Sequence, residues 1–372
     1  MASAKSALIF FEEDGAIPAY GKPLMLESVL FCPILRWACD KLLADGVERF
    51  FLVCGPRFAE EARSCFPKEA QVLISEQKSD LDAFLTTPDP ILVLPRAALP
   101  MGEAGVGAVY EAPGYELLES WKERLSNQVS AAELVEGWIP IFSTETIVEL
   151  EPLLRQRILN YHLHGGVHIV DPHTTYIDPR VTIGAGSTLL PGTILEGDTE
   201  IGSGCTIGPN SRVVDCAIGD GCTVNASQLF ESKLDADVTV GPFAYVRPGC
   251  HICSGVKLGD FVEVKNSRIG KDSMISHLTY VGDSDVGSRV NFGCGTVTCN
   301  YDGVEKHRCT IGDRAFLGCN TNLVAPVTVG EGAYTAAGST ITGEVPAGAL
   351  AVARSRQKNI EGWVLRKRPK AR

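Results

Sequence analysis

The chain has 372 residues, of which 45% are hydrophobic and 21% charged, proportions that exclude a disordered chain and predict two or three globular domains. It contains no run of 18 apolar residues, so we expect no membrane-spanning helix, and the apolar run near its start is too short for a signal peptide. The net charge is -11, although residues 354–372 carry eight Lys or Arg against one acid. The acidic body argues against nucleic-acid binding, and we expect a cytoplasmic protein without nucleic-acid or membrane partners.

Short apolar runs alternate with helical periodicity over the segment 1–112. The predicted strands are 7–11, 50–54, 72–75 and 91–94, and the predicted helices are 27–43, 57–65 and 79–85. This alternation predicts an α/β domain around a mainly parallel sheet. Further helices are predicted at 115–125 and at Thr144–His164, so we place a helical linker at 113–165.

The segment after the first predicted strand is acidic, with Glu12, Glu13 and Asp14 before Gly15. A phosphate cradle at such a strand end needs glycines, free backbone amides and often a basic residue. Three carboxylates there would repel a triphosphate, so we expect no nucleotide transfer by this domain.

An aliphatic residue recurs every six positions from Ile177 to Val213, continues with occasional steps of five to Ile275, and resumes between Ile311 and Ile341. A period of six is typical of short strands joined by tight turns, and it fits neither an α-helix nor a coiled coil. Three such strands close a triangular coil of about 18 residues, and stacked coils share backbone hydrogen bonds about 4.8 Å apart. We therefore predict a parallel β-helix over 166–347, followed by a basic tail at 348–372.

The repeat breaks at residues 300–308, a polar stretch with an Asp302-Gly303 turn. This stretch is predicted to leave the coil as a loop. Loops on a rigid scaffold often carry function, and a tolerated insertion explains the break equally well.

The 13 cysteines are odd in number and scattered, as expected for reduced thiols. One Cys-x-x-Cys motif occurs, at Cys250-His251-Ile252-Cys253. A zinc site usually needs a second ligand pair at matching spacing, and none is evident in the sequence, so we expect no metal site there.

The most specific motifs lie between residues 241 and 354. They are GPFAYVRPG from Gly241, FVEVK from Phe261, HLTYVGD from His277, TCNYDG from Thr298 and LVAPVTVG from Leu323. These motifs closely resemble the acetyltransferase half of the bacterial bifunctional enzyme N-acetylglucosamine-1-phosphate uridyltransferase/glucosamine-1-phosphate N-acetyltransferase. The resemblance implies a left-handed β-helix, acetyl-CoA as cosubstrate, and a homotrimer whose active sites lie between β-helices.

The N-terminal third is only faintly similar to that family. Gly21-Lys22-Pro23-Leu24 and Glu76-Gln77 match, whereas the Gly-x-Gly-Thr-Arg loop of the uridyltransferase site is missing. Pro95-Arg96-Ala97 stands where the family places a metal-binding Gly-Asp. We therefore expect a truncated Rossmann-like nucleotidyltransferase domain at 1–112 that has lost uridyltransfer, with Mg²⁺ required only if that activity is retained.

The resemblance also assigns site residues. His277 matches the catalytic base, and an imidazole, with an ordinary pKa of about 6.5, can accept the proton of a 2-amino group near neutral pH. Glu263 is a weaker candidate for orienting the His277 ring. The implied sugar-phosphate contacts are Arg247, Lys265, Tyr280, Asn291 and Lys306. The implied acetyl-CoA contacts are Cys294, Asn300, Tyr301, Cys319, Ala337 and Arg354.

Physical arguments accompany three of these assignments. Arg247 and Lys265 are separated in the sequence by one full coil of the repeat, so they are predicted to stack on adjacent coils, where a bridging anion would relieve their repulsion. Cys319 replaces the family's usual Ser and loses a hydroxyl hydrogen bond worth about 1 kcal/mol, while Cys294 replaces a usual Ala. Arg354, at the start of the basic tail, suits the phosphates of CoA.

The sequence therefore predicts an acetyltransferase that makes N-acetylglucosamine-1-phosphate for UDP-N-acetylglucosamine and peptidoglycan precursors. Two alternatives stay open. One is a bifunctional enzyme that retains UTP-dependent uridyltransfer, and the other is a non-catalytic scaffold that binds nucleotide sugars.

Overall fold

The computed structural model describes residues 4–11, 21–86, 89–102, 109–114, 117 and 133–367. The acidic residues 12–14, which were expected to repel a triphosphate, lie outside these described residues. So does the helix predicted at 115–125, apart from residue 117. The chain divides into two compact units, one of residues 1–161 with 177–179 and the other of residues 162–176 with 180–372. Within the described residues, no helix has the length and apolarity needed to cross a bilayer.

The first unit is an α/β domain. Its strands are β1 (Ser6–Phe10), β2 (Ser28–Val29), β3 (Cys32–Pro33), β4 (Arg49–Val53), β5 (Gln71–Ile74), β6 (Pro90–Leu94), β7 (Ala98–Pro100), β8 (Val109–Pro113), β9 (Glu133–Val135) and β10 (Trp138–Pro140). Its helices are α1 (Ile34–Ala44), α2 (Ala59–Ser64), α3 (Lys78–Leu85) and α4 (Thr144–His164), the last of which continues to the start of the second unit.

The main sheet of this unit has the order β5-β4-β1-β6-β8-β9. Its first four strands are parallel, and β8 and β9 join antiparallel. Apolar side chains such as Leu8, Phe51, Leu85 and Ile91 pack into a common buried cluster. The predicted α/β class and mainly parallel sheet are confirmed.

Two local predictions are wrong. The helix predicted at 27–43 begins only at Ile34, because Pro33 disfavours a helical conformation of Cys32, and β2 and β3 occupy the preceding residues. The linker predicted to be helical contains β9 and β10, which pair with β8 and β7 of the α/β unit. Helix α4 agrees with its prediction at both ends.

The second unit is a left-handed parallel β-helix of three sheets. Sheet 1 contains His168–Ile169, Thr188–Leu189, Thr206–Ile207, Thr223–Val224, Thr239–Val240, Lys257–Asp260, Met274–His277, Asn291–Phe292, Phe316–Leu317, Tyr334–Thr335 and Leu350–Ala351. Sheet 2 contains Tyr176–Ile177, Ile194–Glu196, Arg212–Val214, Gln228–Phe230, Tyr245–Val246, Glu263–Lys265, Tyr280–Gly282, Val297–Cys299, Asn322–Val324 and Thr340–Ile341. Sheet 3 contains Thr182–Ile183, Glu200–Ile201, Ala217–Ile218, Lys233–Leu234, His251–Ile252, Arg268–Ile269, Ser284–Val286, Cys309–Ile311 and Val327–Val329. A short helix, α5 (Trp363–Lys367), follows the last coil.

The aliphatic hexad residues form the core of the coil. Along sheet 1, for example, Val240, Leu258 and Ile275 succeed one another on neighbouring strands and are 0% exposed. No single coil encloses these side chains, so stability depends on neighbouring coils stacking. This stacking holds residues that are one coil apart in sequence beside each other on the surface.

Candidate active site

His277 lies at the end of its sheet 1 strand, at the corner between sheets 1 and 2, and its side chain is 59% exposed. Its Nδ1 lies 2.6 Å from Oδ1 of Asp260, the register partner on the preceding coil. Because an ionised carboxylate only accepts hydrogen bonds, Nδ1 carries the proton and Nε2 is left as an acceptor. The hydrogen bond to His277 holds the pKa of Asp260 below its usual range, so the carboxylate stays ionised.

The prediction that Glu263 orients the ring is wrong. Glu263 Oε1 instead accepts a hydrogen bond of 2.9 Å from Nη1 of Arg247, which directly follows the neighbouring strand of sheet 2. Sequence reasoning missed Asp260, although one signal was available. The sequence separation between Leu258 and its register partner Ile275 is one residue less than three full hexads. The same separation, counted back from His277, leads to Asp260.

Three residues assigned to acetyl-CoA continue the column that Asp260 and His277 begin. Four successive strands of sheet 1 pair in register, and they begin at Met274, Asn291, Phe316 and Tyr334. Three residues after these starting positions, the chain has His277, Cys294, Cys319 and Ala337, respectively, which therefore follow one another on successive coils. A Cβ added to Gly293 would lie 2.4 Å from the backbone N of Cys319, which shows how closely these turns stack. We call Asp260, His277, Cys294, Cys319 and Ala337 the corner column.

Arg354 lies beside the far end of the corner column. Its Cδ would be 3.8 Å from a Cβ built on Gly338, the residue after Ala337. The Arg354 side chain is exposed, so its charge is available to an anionic group bound along the column.

A cluster of cations occupies the opposite edge of sheet 2. Arg247 and Lys265 follow Val246 and Val264, which pair in register, so the two cations stand on adjacent coils. The nearby Lys306 ammonium is the main reason that the pKa of Lys265 is lowered, and burial and the charge of Arg247 contribute in the same direction. We call Arg247, Lys265 and Lys306 the cation cluster.

Asp283 lies beneath the cation cluster and is 4% exposed. Its Oδ1 accepts a 2.6 Å hydrogen bond from Asn266, its Oδ2 accepts one from Asn300, and Lys265 Nζ is 3.9 Å away. Burial alone would raise the pKa of Asp283, but these hydrogen bonds and the charges of Lys265 and Lys306 outweigh burial and lower it. One buried anion thus faces several cations, and the cluster keeps an excess of positive charge.

The loop at 300–308 leaves the coil as predicted and carries Lys306 to the cation cluster. Tyr301 and Lys306 form an antiparallel bridge, and Asp302 Oδ1 accepts the backbone N–H groups of Val304 at 2.8 Å and Glu305 at 2.7 Å. Asp302 Oδ2 lies 2.7 Å from Nε2 of His307. The loop is therefore an ordered turn, and the Tyr301 side chain is exposed.

Tyr280 and Asn291 occupy different surfaces. Tyr280 lies on sheet 2 next to Glu263, and its hydroxyl covers Gly282, where an added Cβ would lie only 2.3 Å from the hydroxyl oxygen. Asn291 begins a strand of sheet 1, on another face of the coil. A single chain thus forms two separate groups of predicted site residues. One is the corner column, and the other is the cation cluster with Tyr280 and Asn300. Asn291 belongs to neither group.

In the first unit, the stretch Pro95-Arg96-Ala97 stands where the resemblance expects a metal-binding Gly-Asp, and it contains no carboxylate. The Arg96 guanidinium lies 4.9 Å from the ring centroid of Phe142. Lys22, in the matching Gly-Lys-Pro motif, pairs with Glu61 at 2.7 Å. Among the described residues of this unit, no three His, Cys, Asp or Glu side chains bring their donor atoms together.

The coil and its corner column define a hexapeptide-repeat transferase. Residues 180–215 and 308–343 match the family described as bacterial transferase hexapeptide (six repeats). The chain is 49% identical over 370 residues to the bifunctional protein GlmU of Alkaliphilus metalliredigens (strain QYMF), an alignment that covers 97% of this chain and 75% of that protein. The chain belongs to the family of the bifunctional protein GlmU.

Other relatives are covered less completely. The bifunctional protein GlmU of Geobacillus sp. (strain WCH70) is 54% identical over 218 residues, which are 59% of this chain and 48% of that protein. The GlmU of Clostridium beijerinckii (strain ATCC 51743 / NCIMB 8052) is 48% identical over 263 residues, or 71% of this chain and 57% of that protein. The chain thus spans about half the length of these two relatives.

Solved structures with a related coil are more remote. An Arabidopsis UDP-N-acetylglucosamine acyltransferase is 15% identical, with a TM-score of 0.37 over 51% of this chain and 70% of that chain. LpxA from Acinetobacter baumannii is 16% identical, with a TM-score of 0.27 over 52% of this chain and 78% of that chain.

Proposed function

We propose that the chain transfers the acetyl group of acetyl-CoA to the 2-amino group of glucosamine-1-phosphate. The product, N-acetylglucosamine-1-phosphate, would supply UDP-N-acetylglucosamine and cell-wall precursors. The observation that carries the proposal is the corner column, in which the His277–Asp260 pair and three of the predicted acetyl-CoA contacts, Cys294, Cys319 and Ala337, share one edge of the coil. Membership of the GlmU family supports the same reaction.

In the proposed mechanism, His277 Nε2 takes a proton from the amine while the amine nitrogen attacks the thioester carbonyl carbon. The C–N bond forms, the C–S bond breaks, and the CoA sulfur leaves with the bonding electron pair and is then protonated. Asp260 fixes the imidazole and stabilises its cationic form through the 2.6 Å hydrogen bond. No cysteine has to act as a nucleophile in this direct transfer.

The cation cluster is proposed to bind the sugar phosphate. Repulsion between Lys265 and Lys306 lowers the pKa of Lys265, and a bound phosphate would replace that repulsion with charge-assisted hydrogen bonds. Arg354 and the exposed basic residues after it suit the pyrophosphate and 3′-phosphate of CoA.

We propose that the active enzyme is a homotrimer with sites between coils. Asn291 lies on another face from the cation cluster, so contact of both with one substrate needs a second chain. Next to the His277–Asp260 pair, Phe243, Phe261 and Leu278 form an apolar ridge with side chains 60%, 58% and 57% exposed. Their φ angles of 59°, 56° and 46° are unfavourable for bulky residues, and burial of the ridge against a second copy would offset that cost.

Uridyltransfer is proposed to be lost. Pro95-Arg96-Ala97 supplies no carboxylate where the Mg²⁺ ligand is expected, and the sequence of the first unit lacks the glycine-rich phosphate loop of the family. The purified chain, given UTP, N-acetylglucosamine-1-phosphate and Mg²⁺, should release no pyrophosphate. Release at a rate comparable to its acetyl transfer would instead support the bifunctional alternative.

A reducing cytoplasm is the proposed compartment. None of the 13 cysteines, all of which lie in the described part of the chain, forms a disulfide, and most of them are buried. Free thiols in this number are typical of proteins kept in a reducing environment.

An acceptor panel tests the proposed reaction. The chain, acetyl-CoA and one amino sugar are mixed, and free CoA thiol is measured over time. We expect glucosamine-1-phosphate to be preferred over glucosamine and glucosamine-6-phosphate, because only it pairs the 2-amino group with an anomeric phosphate. No thiol release with any acceptor, together with no acetyl-CoA binding by calorimetry, would favour the non-catalytic scaffold.

A further inference from the structure

Asp235, His251 and Cys253 bring a carboxylate, an imidazole and a thiol together on two adjacent coils of sheet 3. One donor atom of each lies within 4.8 Å of the others. His251 Nε2 is 3.1 Å from both carboxylate oxygens of Asp235. Asp235 and Cys253 each follow the end of a strand, and the two strands, Lys233–Leu234 and His251–Ile252, are paired in register.

The backbone fixes these positions. The Asp235 N–H donates to the carbonyl of Ile252 at 2.8 Å, and the Cys253 N–H donates to the carbonyl of Ile269 at 2.9 Å. Cys253 is 6% exposed, whereas Asp235 and His251 are half-buried, so the group is open to solvent on one side. Backbone pairing between the coils thus holds the three donors close together.

We propose that Asp235, His251 and Cys253 form a zinc site, with the remaining tetrahedral position open to water. Zinc bonds of about 2.0–2.2 Å to nitrogen and oxygen place such donors about 3.3 Å apart in a tetrahedron, close to the spacing between His251 and Asp235. A mixed set of nitrogen, oxygen and sulfur donors suits zinc, whereas Mg²⁺ and Ca²⁺ take oxygen ligands.

The charges around the group bear on this proposal. An ionised Asp235 and the thiolate of Cys253 together neutralise a dication, and the thiol proton passes to solvent when the ion binds. Lys233 Nζ lies 3.7 Å from Asp235 Oδ1. Burial raises the pKa of the Cys253 thiol, whereas the charges of Arg268 and Lys233 favour its thiolate. The Lys233 side chain is 61% exposed, so it can turn into solvent as the ion enters.

The site differs from the Cys-x-x-Cys pattern in the sequence. Cys250 is 4% exposed and takes no part in the donor group, while Asp235, one coil before His251, supplies the third ligand. No metal was expected at this motif because the sequence shows no second ligand pair. Stacking of the coils instead adds one carboxylate, that of Asp235, to His251 and Cys253.

Cobalt titration of the full chain, freed of metal with EDTA, tests the site. We expect a thiolate-to-cobalt charge-transfer band that saturates at one equivalent and is displaced by Zn²⁺. Cys253→Ser should abolish the band, whereas Cys250→Ser, the matched control, should keep it. Because even outer-shell changes cost about 10–100-fold in metal affinity, His251→Gln and Asp235→Asn should each weaken binding at least about tenfold.

Zinc should also raise the melting temperature of the wild type and of Cys250→Ser but not of Cys253→Ser. This second readout is independent of acetyl transfer, so it separates the zinc site from the proposed function. A band that persists in Cys253→Ser, or binding unchanged by His251→Gln, would overturn the proposal. Saturating cobalt without any band would identify the group as an Asp235–His251 ion pair beside an unrelated thiol.

Discussion

At the residue scale, the proposed chemistry depends on the 2.6 Å hydrogen bond between His277 and Asp260. The carboxylate is held ionised, fixes the imidazole with Nε2 as the acceptor, and stabilises the imidazolium that forms when the amine loses its proton. Glu263, which is also near in sequence, is engaged by Arg247. Asp260 is therefore a positioning residue for the base.

Asp260→Asn is expected to lower kcat by about 10²-fold with little change in KM, since general-base catalysis typically contributes 10²–10⁴-fold. Loss of the negative charge destabilises the imidazolium, so the acidic limb of the kcat profile should move to lower pH. The rate of CoA thiol release measured across pH checks both effects.

Glu263→Gln is the matched control for Asp260→Asn. It loosens Arg247 and should change mainly the KM for the sugar phosphate, leaving the acidic limb of the kcat profile in place. If Asp260→Asn also left that limb in place, Asp260 would have no role through His277.

The cation cluster predicts a second effect at this scale. Lys306→Gln should raise the KM for glucosamine-1-phosphate by about 10–100-fold, because a hydrogen bond to a charged group is worth about 1.5–3 kcal/mol. It also removes the main cause of the lowered pKa of Lys265, so the basic limb of sugar-phosphate binding should move to higher pH. Steady-state kinetics at several pH values measure both.

Lys271→Gln provides the comparison, because Lys271 is an exposed lysine outside the cation cluster. It should leave both the KM and the basic limb unchanged. Equal effects of Lys271→Gln and Lys306→Gln would show that overall charge, and not the cluster, governs sugar-phosphate binding.

At the scale of the element, a strand of only two to four residues is stable because the strands above and below pair with it. Leu258, two residues before Asp260, is 0% exposed, and it is the register partner of Ile275 on the next coil. Leu258→Ala should lower the free energy of unfolding by about 2–5 kcal/mol, as other large-to-small core changes do. Urea unfolding followed by circular dichroism measures the loss.

Lys257→Ala changes the exposed neighbour of Leu258 and should alter stability by no more than about 0.5 kcal/mol. Similar losses in the two variants would mean that the aliphatic column is not the source of the coil's stability.

The elements also show what the sequence could predict. A hexad residue such as Leu258 is recognisable because its own strand and turn decide its burial, so the three-sided coil is predictable from local spacing. Asp260 and Asp235 were missed because their partners lie one coil away, and the coil length varies wherever a step of the repeat is shortened. The late start of α1 follows from Pro33, a local signal that apolar periodicity had obscured.

At the scale of the whole molecule, the predicted contacts of one substrate lie on two faces of the coil, and an interface between chains would unite them. If the cation cluster and Asn291 serve one site from different chains, impaired Lys306→Gln and impaired Asn291→Ala chains should restore activity when co-expressed. Light scattering should also give three times the mass of one chain. A mixture no more active than its separate components would place the site within one chain.

The account rests on His277 as the base that lets an amino sugar phosphate attack acetyl-CoA. The most direct test is the rate of CoA thiol release from acetyl-CoA and glucosamine-1-phosphate by the wild type and by His277→Ala. We expect robust release by the wild type and a rate lower by at least about 10²-fold in the variant, with both substrates still bound. Equal rates in the two proteins would contradict the account.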